Sequence, residues 1–194
     1  MTKSGVNAVV ARTNVVDNEH SGGHAVQPSE VARQILGRYD STSSIRVLLA
    51  GPAGVGKSAT ASAMCTANTG LVHIEHDTLK TTGEWPCPCS VSYFDLRRCF
   101  EPSMHLPEFV IDTGGGSIFV PGKDNDARVR DMHSFKEDHH LEVCLLTASH
   151  DVVKERHLRV PGSREDAFDD YWQAWESVEL QCWQACSDFT IDIS

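Results

Sequence analysis

No stretch of the 194-residue chain approaches the run of roughly 18–20 apolar residues that a membrane span needs. The first residues, Met1 to His24, lack the apolar core of a secretory leader. Positive charge is scarce as well. Seventeen Lys and Arg stand against 27 Asp and Glu, for a formal net charge of −10. That balance argues against a protein whose main task is to grip nucleic acid, because phosphate backbones demand a basic face. Metal-ligand spacing is missing too. Cys87-x-Cys89 and Cys182-x₃-Cys186 both depart from the C-x₂-C pattern of zinc sites, and the seven cysteines are odd in number and scattered. The histidines show no ligand spacing either and are expected mostly at the surface. What remains is an ordinary globular composition, 40% hydrophobic and 23% charged, on a chain long enough for one α/β domain with a substantial core.

One stretch satisfies a demanding pattern. Gly51-Pro52-Ala53-Gly54-Val55-Gly56-Lys57-Ser58 matches G-x-x-x-x-G-K-[ST] at every constrained position. The apolar run Val47-Leu48-Leu49-Ala50 precedes it, and helix-compatible residues from Ala59 to Cys65 follow. Strand, glycine loop and helix are the setting this motif requires. Glycines at 51, 54 and 56 let backbone N–H groups of residues such as Ala53, Val55 and Ala59 turn toward phosphate oxygens. Lys57 would reach the β/γ-phosphates, and Ser58 would ligand Mg²⁺. A protein that uses ATP or GTP works where those nucleotides are abundant, so the cysteines read as reduced thiols and the expected location is the cytoplasm.

Periodicity and punctuation divide the rest. Residues 1–27 read as a flexible N-terminal arm, and 28–44 as a helix opened by Pro28-Ser29-Glu30 followed by a linker. Residues 45–194 form the domain. Strands are expected near 45–50, 71–75, 109–112, 141–147 and 189–193. Helices are expected at about 57–68, 91–101, 122–139 and 149–158, and in two pieces over 165–187. Such alternation argues a parallel sheet covered on both faces, with ligands at the carboxyl ends of its strands.

Several residues fall at those ends. Asp112 closes an apolar strand, where a carboxylate can hold Mg²⁺ beside Ser58 or simply shape a turn. Gly114-Gly115-Gly116 follows and lets backbone approach a ligand closely. Glu75 and Asp77 share one side of an extended segment. Asp77 can orient or deprotonate a substrate hydroxyl, or else cap the next turn, and Glu75 can support the water shell of the metal. Arg156, Arg159 and Arg164 flank Val160-Pro161-Gly162-Ser163, a turn that reads as a lid over about 156–165. Their cations can close on transferring phosphate, or pair with Glu155, Glu165 and Asp166.

Together, Gly51–Ser58, Glu75-x-Asp77, Arg98-x-x-Glu101, Asp112-Thr113-Gly114-Gly115-Gly116 and the arginine-bearing lid resemble the shikimate-kinase and gluconate-kinase branch of small-molecule P-loop kinases, across about residues 45–193. The resemblance implies a five-stranded parallel sheet in the order 2-3-1-4-5. It also implies ATP and Mg²⁺ as cofactors and a small hydroxyl-bearing molecule as acceptor. Lys57, Asp77 and Arg156 would be catalytic, and Arg156 and Arg159 would cover the ATP phosphates. Glu75, Asp77, Arg98 and the triple glycine would hold the acceptor. The Trp85–Ser90 insert has no counterpart in that group, and Phe168–Trp183 lacks a second arginine for an acceptor carboxylate. With Ser194 following the fifth strand, adenine recognition is expected to be reduced or supplied by other segments, such as the helix within 28–40. A GTPase-like switch is the alternative, since Asp112-x-x-Gly115 fits D-x-x-G, but Thr147-Ala148-Ser149-His150 lacks the guanine-reading lysine. A nucleotide-binding module without catalysis is the third reading.

Overall fold

The structure is a computed structural model that describes residues 26–75, 104–113, 118–119, 122–160 and 162–194. Strand β1 (Arg46–Ala50) lies at its centre, with Val47 to Ala50 fully buried. The strand is continuously apolar because both of its faces are covered, as in parallel sheets generally. Strands β2 (Val72–Glu75), β3 (Phe109–Asp112), β4 (Glu142–Thr147) and β5 (Phe189–Asp192) complete one sheet in the order β2-β3-β1-β4-β5. Every pairing is parallel. The expected order and strand count are therefore observed.

Edge and centre differ as the sequence dictates. β3 is buried at all four positions, while Val72 at the start of edge strand β2 is 37% exposed. Register aligns the strand ends that matter. Leu49 pairs with Asp112 and with Cys144, and Glu75 pairs with Asp112. The carboxyl ends of β1, β2 and β3 thus finish together, on the side from which the glycine loop emerges.

Among the described residues the helices are α1 (Pro28–Leu36), α2 (Lys57–Ala67), α3 (Asn125–His139), α4 (His150–Leu158), α5 (Glu165–Ala174) and α6 (Leu180–Cys186). α1 starts with Pro28 in its first turn, where the missing N–H is no loss. It packs on α2 and places Val31, Ala32 and Ile35 in the main core. α3 is capped by the Asp124 carboxylate, which accepts from Ala127 N–H at 2.9 Å, and ends on His140 in the left-handed region. The two expected helical pieces over 165–187 are α5 and α6, joined by a π-helical turn, Trp175–Glu179. That turn buries both Trp175 and Glu179.

Opposite the loop, Arg46 ties the sheet floor together. Its guanidinium donates to Leu106 O at 3.0 Å and His139 O at 2.9 Å, joining the start of β1 to the segment before β3 and to the end of α3. No helix among the described residues is long and apolar enough to cross a membrane.

Candidate nucleotide site

The loop between β1 and α2 is built on three glycines in the left-handed region: Gly51 at φ +144°, Gly54 at +82° and Gly56 at +108°. At Gly51 the requirement is also steric. A Cβ there would lie 2.5 Å from Leu146 O of β4, which is backbone and cannot give way. Gly54 lies against the backbone of Val153 and His157, so the loop rests on the last turns of α4.

Lys57 opens α2 and is nearly buried, at 5% exposure. Its ammonium donates to Gly51 O at 2.9 Å and Pro52 O at 3.0 Å, within the loop that its own helix begins. Burial of a cation demands such partners. Ser58 and Ala59 follow in the first turn of α2 and are exposed.

Two helices outside the loop reach into it. Arg156, near the end of α4, donates from Nη1 to Val55 O at 2.9 Å. Burial, and then the charge of Arg159, lower the pKa of this guanidinium. Tyr171 of α5 accepts the Ala53 N–H at 2.6 Å. These contacts span 101 and 118 residues of sequence, so the loop is held from both flanks by side chains remote in the chain.

Arg159 and Arg164 are placed differently. Arg159 is 71% exposed and pairs with Glu155, and Arg164 is 74% exposed and pairs with Asp166. A cross-helix clasp joins α4 to α5. Lys154 of α4 contacts Glu165 at 2.8 Å and Asp169 at 3.0 Å, both on α5.

At the end of β3, the Asp112 side chain is wholly buried. His73 of β2 places Nε2 3.0 Å from Asp112 Oδ2. A carboxylate accepts only, so the imidazole N–H is the donor. Thr113, also buried, continues β3 onto Leu49 O through its backbone N–H and its hydroxyl. Glu75 is half-buried at the end of β2. Asp77, Arg98 and Gly114-Gly115-Gly116, assigned to the acceptor side, lie outside the described residues, as do Cys87 and Cys89.

The structure thus brings Lys57, Ala53, Val55 and Arg156 together around one loop and sets Asp112 at the strand end beside β1. It leaves Arg159 in a surface pair. Two participants carry no assignment from sequence alone. His73 shows no ligand spacing to the other histidines. The alternation read in the sequence does extend back to it, since residues 73 and 75 fall on one side of β2. Tyr171 reads in sequence only as a bulky anchor, and nothing local to it signals a contact with Ala53.

No protein-family model matches the chain, and no curated protein matches it by sequence. Solved structures do match in three dimensions. A shikimate kinase from Bacteroides thetaiotaomicron aligns with a TM-score of 0.55 at 20% identity, over 77% of this chain and 86% of that one. A shikimate kinase from Acinetobacter baumannii, solved with shikimate, aligns with a TM-score of 0.55 at 14% identity, over 78% and 85%. A gluconokinase from Sinorhizobium meliloti 1021 gives a TM-score of 0.41 at 18% identity, over 77% and 83%. The chain has the fold of the shikimate-kinase-like P-loop kinases. What is shared at these identities is the architecture.

Proposed function

We propose that the protein is an ATP- and Mg²⁺-dependent phosphotransferase acting on a hydroxyl group of a small metabolite in the cytoplasm. The observation that carries this reading is the convergence of Lys57 and Arg156 on the carbonyls of one glycine loop, in a fold shared with small-molecule kinases. Two cations from separate helices have their heads at the same cradle, which suits a ligand of several negative charges.

The residues fit the cofactors. Left-handed glycines free the loop backbone to face an anion, and among the described residues a Cβ on Gly56 would have only Arg156 Nη1, at 3.9 Å, within contact distance. For Mg²⁺ the hard oxygen donors are the exposed Ser58 hydroxyl and the buried Asp112 carboxylate. When bound, the metal would neutralise charge on the β- and γ-phosphoryl oxygens. Lys57 would hold the same oxygens, and Arg156, with Arg159 beside it on the lid, would stabilise charge that develops during transfer. On the acceptor side we assign Asp77 to orient the nucleophilic hydroxyl or take its proton. Glu75, Arg98 and Gly114–Gly116 would hold the acceptor in line with the terminal phosphoryl group.

An ADP-release screen over hydroxyl-bearing metabolites, with ATP and Mg²⁺, tests the reading. At least one sugar acid, cyclitol, nucleoside or antibiotic should yield a phosphorylated product, and Lys57→Ala should abolish it. Tight, selective GTP binding with no acceptor phosphorylated would sink the kinase reading in favour of a switch.

A further inference from the structure

Tyr171 sits 118 residues from the glycine loop in sequence, yet its phenolic oxygen is 2.6 Å from Ala53 N. The oxygen accepts there, which leaves its own proton to be donated elsewhere. Among the described residues, Ala53 N–H is the only hydrogen-bond partner of this hydroxyl. A half-buried phenol with an uncommitted proton is a donor that water or a ligand must satisfy. The ring itself is fixed against Phe168, with centroids 6.1 Å apart, so the hydroxyl has a defined position.

The end of the site at which it stands follows from Lys57. A lysine in this motif reaches the β/γ-phosphates. Here its ammonium lies against Gly51 O and Pro52 O, immediately before Ala53 in the chain. Residues 51–53 therefore border the terminal-phosphate end of the cradle. We propose that Tyr171 contacts the nucleotide: its hydroxyl, seated on Ala53 N–H, donates its proton to an oxygen of the terminal phosphoryl group of a nucleoside triphosphate. The site thereby discriminates triphosphate from diphosphate. This rests on the nucleotide-binding part of the function proposed above and is independent of the acceptor. An anionic phosphoryl oxygen is the strongest acceptor such a donor can meet. The proton is also secure at neutral pH, since burial pushes the phenol from 10.0 to about 12.

The test is calorimetric titration of the full chain, with Mg²⁺, by ADP and by adenylyl imidodiphosphate, a triphosphate analogue that resists hydrolysis. Tyr171→Phe should weaken the triphosphate analogue about tenfold or more and leave ADP within about twofold. Equal weakening of both would make the hydroxyl a support for the loop and overturn the proposal. No change would overturn it as well. Tighter binding of both would show that the phenol competes with phosphate for Ala53 N–H, which would also overturn it. A second measurement keeps the native hydroxyl in place. With three tyrosines in the chain, 3-fluorotyrosine labelling allows the fluorine resonance of residue 171 to be assigned. That resonance should shift with the triphosphate analogue and stay fixed with ADP, and an identical response to both would refute the contact. Wild-type protein that binds neither nucleotide would overturn the nucleotide reading itself, a failure separable from that of Tyr171.

Discussion

His73 Nε2 lies 3.0 Å from Asp112 Oδ2, so the carboxylate assigned to Mg²⁺ is oriented by an imidazole from the neighbouring strand. The two residues come from β2 and β3, and the Asp112 side chain is completely buried. Groups that orient a metal-binding carboxylate typically change metal affinity about 10–100-fold when removed. His73→Ala should therefore raise the Mg²⁺ concentration at half-saturation of ATP binding about tenfold. Titrating Mg²⁺ against a fluorescent ATP analogue measures it. His73→Gln, which can still present an N–H, should recover part of the loss. An unchanged Mg²⁺ dependence in the alanine variant would reduce the pair to a structural contact.

The two arginines assigned to the phosphates are not equivalent. Arg156 is anchored on Val55 O of the loop, whereas Arg159 is 71% exposed and paired with Glu155. Arg156→Ala should raise the KM for ATP about tenfold or more, as expected for loss of a charged hydrogen bond. Arg159→Ala should cost clearly less, because an exposed ion pair fixes its side chain only weakly. Steady-state kinetics on the two variants decides the order, and a larger effect at Arg159 would place the working cation on the turn instead of the helix.

Gly51 and Gly54 should differ in the damage an added methyl group does. Both have positive φ, which costs an L-residue about 1–2 kcal/mol. Only at Gly51 would the Cβ clash with backbone, lying 2.5 Å from Leu146 O. At Gly54 the nearest atom would be 3.5 Å away, an ordinary contact. Urea denaturation should show Gly51→Ala destabilised by more than about 3 kcal/mol and Gly54→Ala by about 1–2 kcal/mol. Comparable losses would mean that backbone conformation alone, without the clash, sets the cost.

Cys144 on β4 is fully buried, and burial pushes its thiol from 9.0 to about 12. Above pH 9.0 the unfolded chain therefore loses this proton before the folded one does. The folded state binds more protons in that window, so the stabilisation is complete below about pH 9 and is lost as pH rises toward about 12. Cys144→Ala removes the group from both states and should flatten the alkaline fall in urea midpoint. If the fall keeps its full slope, other groups carry it; Cys186, also pushed to about 12, is the first to examine.

Legibility in the sequence follows the range of the cause. β1, the loop and α2 are encoded within Val47–Ser58, because the glycines and Lys57 act on their own neighbours. The buried strands announce themselves through apolar runs, and their order comes with the resemblance to known kinases. The π-helical turn at Trp175–Glu179 does not show, since an α-turn and a π-turn draw on the same residues. Nor do the partners of the site. His73 meets Asp112 only through the parallel register of β2 and β3. Arg156 stands out by charge, but its seat on Val55 O depends on how α4 packs under Gly54. A side chain's type is written locally, whereas what it touches is decided by topology.

Lys154 joins the two flanks of the site. It sits on α4, two residues before Arg156, and it grips Glu165 and Asp169 on α5, the helix that carries Tyr171. That bridge closes the base of the connection between α4 and α5. The guanidinium at Val55 and the phenol at Ala53 are therefore carried by two helices that this one lysine bridges. The glycine loop thus meets α4 and α5 as neighbours already joined to each other.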